Sequence, residues 1–190
     1  MPVLAFRAVF LAETFFTGAN MMRKKVAIEN REVKGVMAEQ IAMIRWKRSG
    51  NAADFVKGKY SREHTWTFDG GVTVPASSSP TAVRPPFSNP ANVDPEEAYV
   101  ASLSSCHMLT YLYVASRKGF QIASYEDEAV GVMTKNERGV FWVSSVVLHP
   151  RIAYTGDKLP SREEEEQMHH AAHDQCFIAN SVKTDVKVEF

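Results

Sequence analysis

The chain has 190 residues, 45% of them apolar, with 22 basic and 22 acidic side chains and two cysteines. That is enough apolar material for one domain with its own core. A formal charge of zero gives no global field that would draw the protein to nucleic acid or to an anionic membrane surface. The absence of any run of about 20 apolar residues argues against a membrane-spanning helix.

Residues 1–37 differ in composition from the rest of the chain and read as a flexible or adventitious extension of uncertain role, with the domain at 38–190. Arg7 and Glu13 interrupt the apolar start, which lacks the charged opening of a secretory signal, and Glu13, Glu29 and Glu32 are out of place in a transit peptide. Met21, Met22 and Met37 are each alternative starts. A targeting segment stays open, and the expected location is cytoplasmic.

Within 41–47, Ile41, Met43, Arg45 and Lys47 alternate with Ala42, Ile44 and Trp46, which predicts a strand with Ile44 and Trp46 inward. A second strand is expected within 55–68, where Tyr60, Arg62, His64, Trp66 and Phe68 share one face. Asp69-Gly70-Gly71 signals a hairpin, with Val72 and Val74 on the return strand. Residues 75–93 hold five prolines and read as a long loop, either a solvated connector or a functional lid.

Asp94 then opens a helix with Pro95 at its first position and Glu97 completing a capping box, ending at Gly119. Its apolar residues surround the axis, so it is expected to be buried nearly all round. Two strands are predicted over 122–135 and 140–154, joined at Asn136–Gly139. Ser161-Arg162-Glu163-Glu164 opens a second helix through about Gln175, and Val182, Thr184, Val186 and Val188 mark a terminal strand. This order is α+β rather than alternating parallel α/β.

The two cysteines stand 70 residues apart, each in a predicted helix. A chain of this size does not need a disulfide for stability, so if the thiols meet in space the reason is chemical. Cys106 lies twelve residues past Asp94, beyond the reach of the helix dipole. Burial alone makes a thiol inert, so a reactive Cys106 needs a cation from elsewhere; the ordinary alternative is a small core thiol. Arg62 is the candidate cation, its alternative being an edge arginine whose head reaches water. Glu96 is a candidate partner for Arg62, by bidentate pairing. It lies about 15 Å along the helix from Cys106, a gap that an arginine from a strand could partly bridge; its alternative is an ordinary first-turn glutamate. Should Cys106 become a sulfenic acid, Cys176 could condense with it. Two rival sets stay open. His169, His173 and Cys176 share a helical face suited to zinc, with His170 or His107 as fourth ligand. In the other, Cys106 acts as a hydrolase nucleophile served by His64, since neighbouring His107 points away.

Asp94-Pro95-Glu96-Glu97 followed by Cys106, with His-His-Ala-Ala-His-Asp-Gln-Cys-Phe-Ile-Ala-Asn-Ser-Val-Lys-Thr at 169–184, resembles the paired cysteine motifs of the OsmC/Ohr family of thiol peroxidases, closer to the OsmC-like branch. The likeness covers roughly residues 40–190. It implies two long central helices with antiparallel sheets, an intertwined homodimer with active sites at its interface, and reduction of organic hydroperoxides. It further implies Cys106 as the attacking thiol, Cys176 as the resolving thiol and Glu96 as the holder of a catalytic arginine. That arginine is placed at Arg62, with Arg84 in the proline-rich loop as backup. A dithiol, lipoyl-type or other, is the expected reductant, and no cofactor or metal is expected. The alternative reading is a non-catalytic redox sensor or ligand-binding OsmC-like protein.

Overall fold

A computed structural model describes residues 38–190, so the expected extension lies outside the described residues. The chain divides into two compact units; among the described residues the smaller contributes 38–43 and 67–73, and the larger 44–66 and 74–190.

In the smaller unit, Asp69–Gly71 makes the turn expected from the sequence. Phe68 N–H donates to the Val72 carbonyl at 3.0 Å, and Gly71 takes φ 90°, which only glycine adopts without strain. This turn links β2 (His64–Phe68) to β3 (Thr73–Ala76), and both share a three-stranded sheet of order β1-β2-β3 with β1 (Ala42–Arg45).

In the larger unit, an aromatic trio comes after β1: Trp46, Phe55 and Tyr60 stack with ring centroids 4.6–5.7 Å apart. Phe55 belongs to a short helix, α1 (Ala52–Val56), capped by Asn51, where the sequence pattern predicts none. Ile44 and Trp46 are 58% and 41% exposed rather than inward. The alternation is real, but it does not say which face is covered. The proline-rich segment is folded back on itself: Ser77 N–H donates to Val93 O, Val93 N–H to Pro75 O and Asn89 N–H to the Ser77 hydroxyl.

The long helix, α2 (Pro95–Arg117), has the expected capping box: Glu97 N–H donates to Asp94 Oδ1 at 2.8 Å, and Asp94 N–H donates to the Glu97 carboxylate at 3.2 Å. Gly119, at φ 80°, ends it. Next come four strands where two were expected: β4 (Gln121–Asp127), β5 (Val130–Lys135), β6 (Phe141–Leu148) and β7 (Pro150–Thr155). The Asn136–Gly139 turn lies where it was expected, but the chain changes partner at Glu128-Ala129 and at His149. Thus β4 pairs with β7 and β5 with β6, both antiparallel. The final helix, α3 (Arg162–Gln175), is capped by Ser161 with Glu164. Strand β8 (Asp185–Val188) lies parallel to β6.

Helix α2 is the centre of this unit. One side packs with α3 and the β4–β7 ribbon around Tyr111, Val114, Phe120, Met168 and Ala172. The other rests Leu103 on Val146 and Leu148 of the β5-β6-β8 sheet. A third side is open: Ala101, Ser105, Leu109 and Tyr113 recur every four residues and are exposed, Leu109 at 62% and Tyr113 at 61%. The helix is therefore not buried all round within one chain.

Candidate functional site

Cys106 is half-buried in the middle of α2, and Cys176 caps the C-terminal end of α3 at 1% exposure; both are free thiols. Packing of α3 against α2 brings the two thiols, 70 residues apart in sequence, close enough for Cys106 to act on the protonation of Cys176. Burial first, and neighbouring Cys106 second, push the Cys176 thiol up to about 11, so at neutral pH it keeps its proton. Backbone N–H groups of the next turn oppose the shift, with Ala179 N–H donating to Cys176 Sγ at 3.4 Å.

Arg62 lies just before β2 rather than inside the strand. Its Nη1 donates to the carbonyls of Gly58, at 2.9 Å, and Tyr60, and its guanidinium carbon sits 3.7 Å from the centre of the Tyr60 ring. Stacking and backbone acceptors thus hold the charge. Arg62 and Glu96 line one cavity of about 290 Å³, together with Trp46, His64, Ser78 and Pro95. The Ser78 hydroxyl is buried without a partner. No Arg62–Glu96 ion pair forms among the described residues. Cys106 does not line this cavity. Arg84 is exposed in the proline-rich loop, outside the cavity.

The histidines are arranged otherwise than the sequence suggested. Among the described residues, no group of three or more His, Cys, Asp or Glu side chains is disposed to hold a metal, so His169, His173 and Cys176 do not form a centre. Instead His107 and His169 meet in the core, Nε2 to Nδ1 at 3.0 Å with parallel rings. Burial is the main reason that His107 is lowered to about 4, with His173 adding to the effect and Asp127 opposing it; burial, His107 and His170 lower His169 to about 3. Both are neutral near pH 7. Tyr111 and Phe190 stack on His169. Sequence reasoning misses the pair because a lone histidine carries no pairing signal; the apolar neighbours of each are the available cue. His64 is tied to its own strand, Nδ1 to the Arg62 carbonyl and Nε2 accepting from Trp66, which leaves it no role as a base for Cys106.

Residues 88–190 match the family model described as OsmC-like protein. With the two central helices and their sheets, this makes the chain a member of the OsmC/Ohr family. An OsmC-like protein of unknown function from Vibrio cholerae is 49% identical, over 80% of this chain and 99% of that one, with a TM-score of 0.77. The organic hydroperoxide resistance protein OhrB of Bacillus subtilis is 21% identical over 81% of this chain and 98% of its own, with a TM-score of 0.56. An OsmC-like protein from Mycoplasma pneumoniae, 15% identical, aligns over 81% and 96% at 0.59. The last two likenesses are of fold alone. No curated protein sequence matches the chain. Among the described residues, no helix is long and apolar enough to cross a membrane.

Proposed function

We propose that the protein is a thiol-dependent peroxidase that reduces organic hydroperoxides by a two-cysteine cycle. The observation that carries this reading is the nearness of the Cys106 and Cys176 thiols, the only cysteines of the chain, where α3 packs on α2. The Cys106 thiolate attacks the nearer peroxide oxygen; an S–O bond forms as the O–O bond breaks, and the leaving alkoxide takes a proton to become the alcohol. Cys176 then attacks the Cys106 sulfenic sulfur, an S–S bond forms, and hydroxide leaves as water with the Cys176 proton. An external dithiol restores both thiols.

Arg62 and Glu96 serve the first step by orienting the peroxide and favouring the thiolate. They do so from a second copy of the chain. Glu96 lies about 15 Å along α2 from Cys106, and the cavity it shares with Arg62 excludes Cys106, so each chain carries two half-sites. The exposed stripe of Ala101, Ser105, Leu109 and Tyr113, and strand β5, exposed along its whole length, supply the apolar face on which a homodimer would close. The aromatic and apolar surroundings favour organic hydroperoxides over hydrogen peroxide.

The test is consumption of cumene hydroperoxide with dithiothreitol. Wild type should turn over, Cys106→Ser should fall to the rate without enzyme, and Cys176→Ser should react once and then over-oxidise. Full activity in Cys106→Ser rejects the scheme. Stoichiometric oxidation without turnover in wild type moves the redox-sensor reading ahead.

A further inference from the structure

The turn after α3 is tied more closely than a helix end requires. The last carbonyls of a helix lack partners within it. Here one amide serves two of them: Asn180 Nδ2 donates to the Asp174 and Cys176 carbonyls, each at 2.9 Å. Asn180 N–H donates to the same Cys176 carbonyl at 3.0 Å, and the segment continues as a 3-10 turn, Ala179–Ser181. The result is local. Ala179 N–H is held at 3.4 Å from Cys176 Sγ, and Ile178 N–H is close enough to favour a charged sulfur. Cys106 is near enough to the same sulfur to act on its protonation.

We propose that Asn180 is a positioning residue for the resolving step, holding the turn in the shape that aims backbone N–H groups at Cys176 Sγ. This rests on the two-cysteine reading above. In that step the Cys176 S–H bond breaks, the S–S bond to Cys106 forms, the S–O bond of the sulfenic acid breaks, and the proton leaves with hydroxide as water. The attacking sulfur carries negative charge as it loses its proton, and burial works against that charge. Hydrogen bonds from fixed N–H groups are the compensation that the chain itself supplies. Asn180 touches no reacting atom and acts through the turn.

The experiment uses the full chain, one equivalent of cumene hydroperoxide and no reductant, and measures peroxide loss and Cys106–Cys176 disulfide formation separately from pH 6 to 9. In Asn180→Ala, peroxide loss should stay within about twofold of wild type. Disulfide formation should slow by about fivefold across this range, the scale of one weakened hydrogen bond to the sulfur, and the Cys106 sulfenic acid should accumulate. Asn180→Asp, of the same shape but without the donors, should slow the step likewise, and it decides the matter if the alanine variant does not fold. Ser181→Ala is the control for general loosening, because its hydroxyl donates to the Phe177 carbonyl at 2.7 Å in the same turn; it should keep the wild-type rate of disulfide formation. Wild-type disulfide kinetics in both Asn180 variants, or an equal loss in Ser181→Ala, would overturn the proposal. Wild type that consumes no peroxide would reject the parent reading, whereas an active wild type with unaffected Asn180 variants rejects this inference alone.

Discussion

The thiol pair and the arginine cavity are built differently. Around Cys106 and Cys176, two helices, a stapled turn and a buried histidine pair fix the geometry within one chain. Around Arg62 and Glu96 the cavity stands open, the ion pair is unmade and one buried hydroxyl lacks a partner. The first region is complete within the chain and the second is not. The difference fits the division of labour proposed above: sulfur chemistry needs two atoms of one chain close together, whereas under that proposal substrate capture would be finished by a second chain closing over the cavity.

The strongest way to break that comparison is complementation. Cys106→Ser should be inactive, and Arg62→Met should lose about 100-fold in kcat/KM, the usual cost of removing one fixed electrostatic stabiliser. If each site combines the thiols of one chain with the arginine of the other, a refolded mixture contains heterodimers with one intact site and one doubly damaged site. Activity should then recover well above that of either parent. If both groups serve the same chain, mixing recovers nothing, and the half-site reading fails while the thiol chemistry survives.

A sharper test of the thiol side uses pH. His107 and His169 are neutral in the fold, lowered to about 4 and about 3, against about 6.5 in an unfolded chain. Below about 6.5 the unfolded chain binds protons that the folded chain refuses, so stability is full above that value and falls as the pH drops toward about 4. At pH 5 each buried imidazole should cost about 2 kcal/mol relative to pH 7.5. His169→Phe, placed between Tyr111 and Phe190, should remove a substantial part of this loss. Urea unfolding of both proteins at pH 7.5 and 5.0 checks it, and an unchanged difference would mean that the pair is not the acid-sensitive element.

Much of this fold is legible in the sequence because local chemistry specifies it. Asp94 with Glu97 and Ser161 with Glu164 announce both helix starts, and Gly71 and Gly139 both hairpins, since these positions make few demands on distant residues. Coverage is not legible. Ile44 and Trp46 alternate as an inward face would, yet both are exposed, and α2 reads as buried all round although its Leu109 and Tyr113 lie exposed. The break at His149 is invisible because apolar alternation continues through it into β7. At the site, sequence spacing could not bring Cys106 to Cys176; only the resemblance implied it. Nor could spacing show that Arg62 shares a cavity with Glu96 that Cys106, farther along α2, does not line.

The two helix caps give the smallest and most selective test. Asp94 and Ser161 make the same box at the start of α2 and α3, so replacing either by alanine should cost about 1 kcal/mol. That is roughly 2–4 °C in Tm for a chain of this size. Their effects on activity should differ. Asp94 is buried two residues before Glu96, and fraying that turn disturbs the carboxylate in the arginine cavity. Ser161 opens α3 fifteen residues before Cys176, beyond a helix that stays packed on α2. With matched losses of Tm, Asp94→Ala should lower kcat/KM severalfold and Ser161→Ala should leave it unchanged. Equal effects on activity would mean that the cavity end of α2 tolerates fraying, and Glu96 would lose its claim to a positioned role.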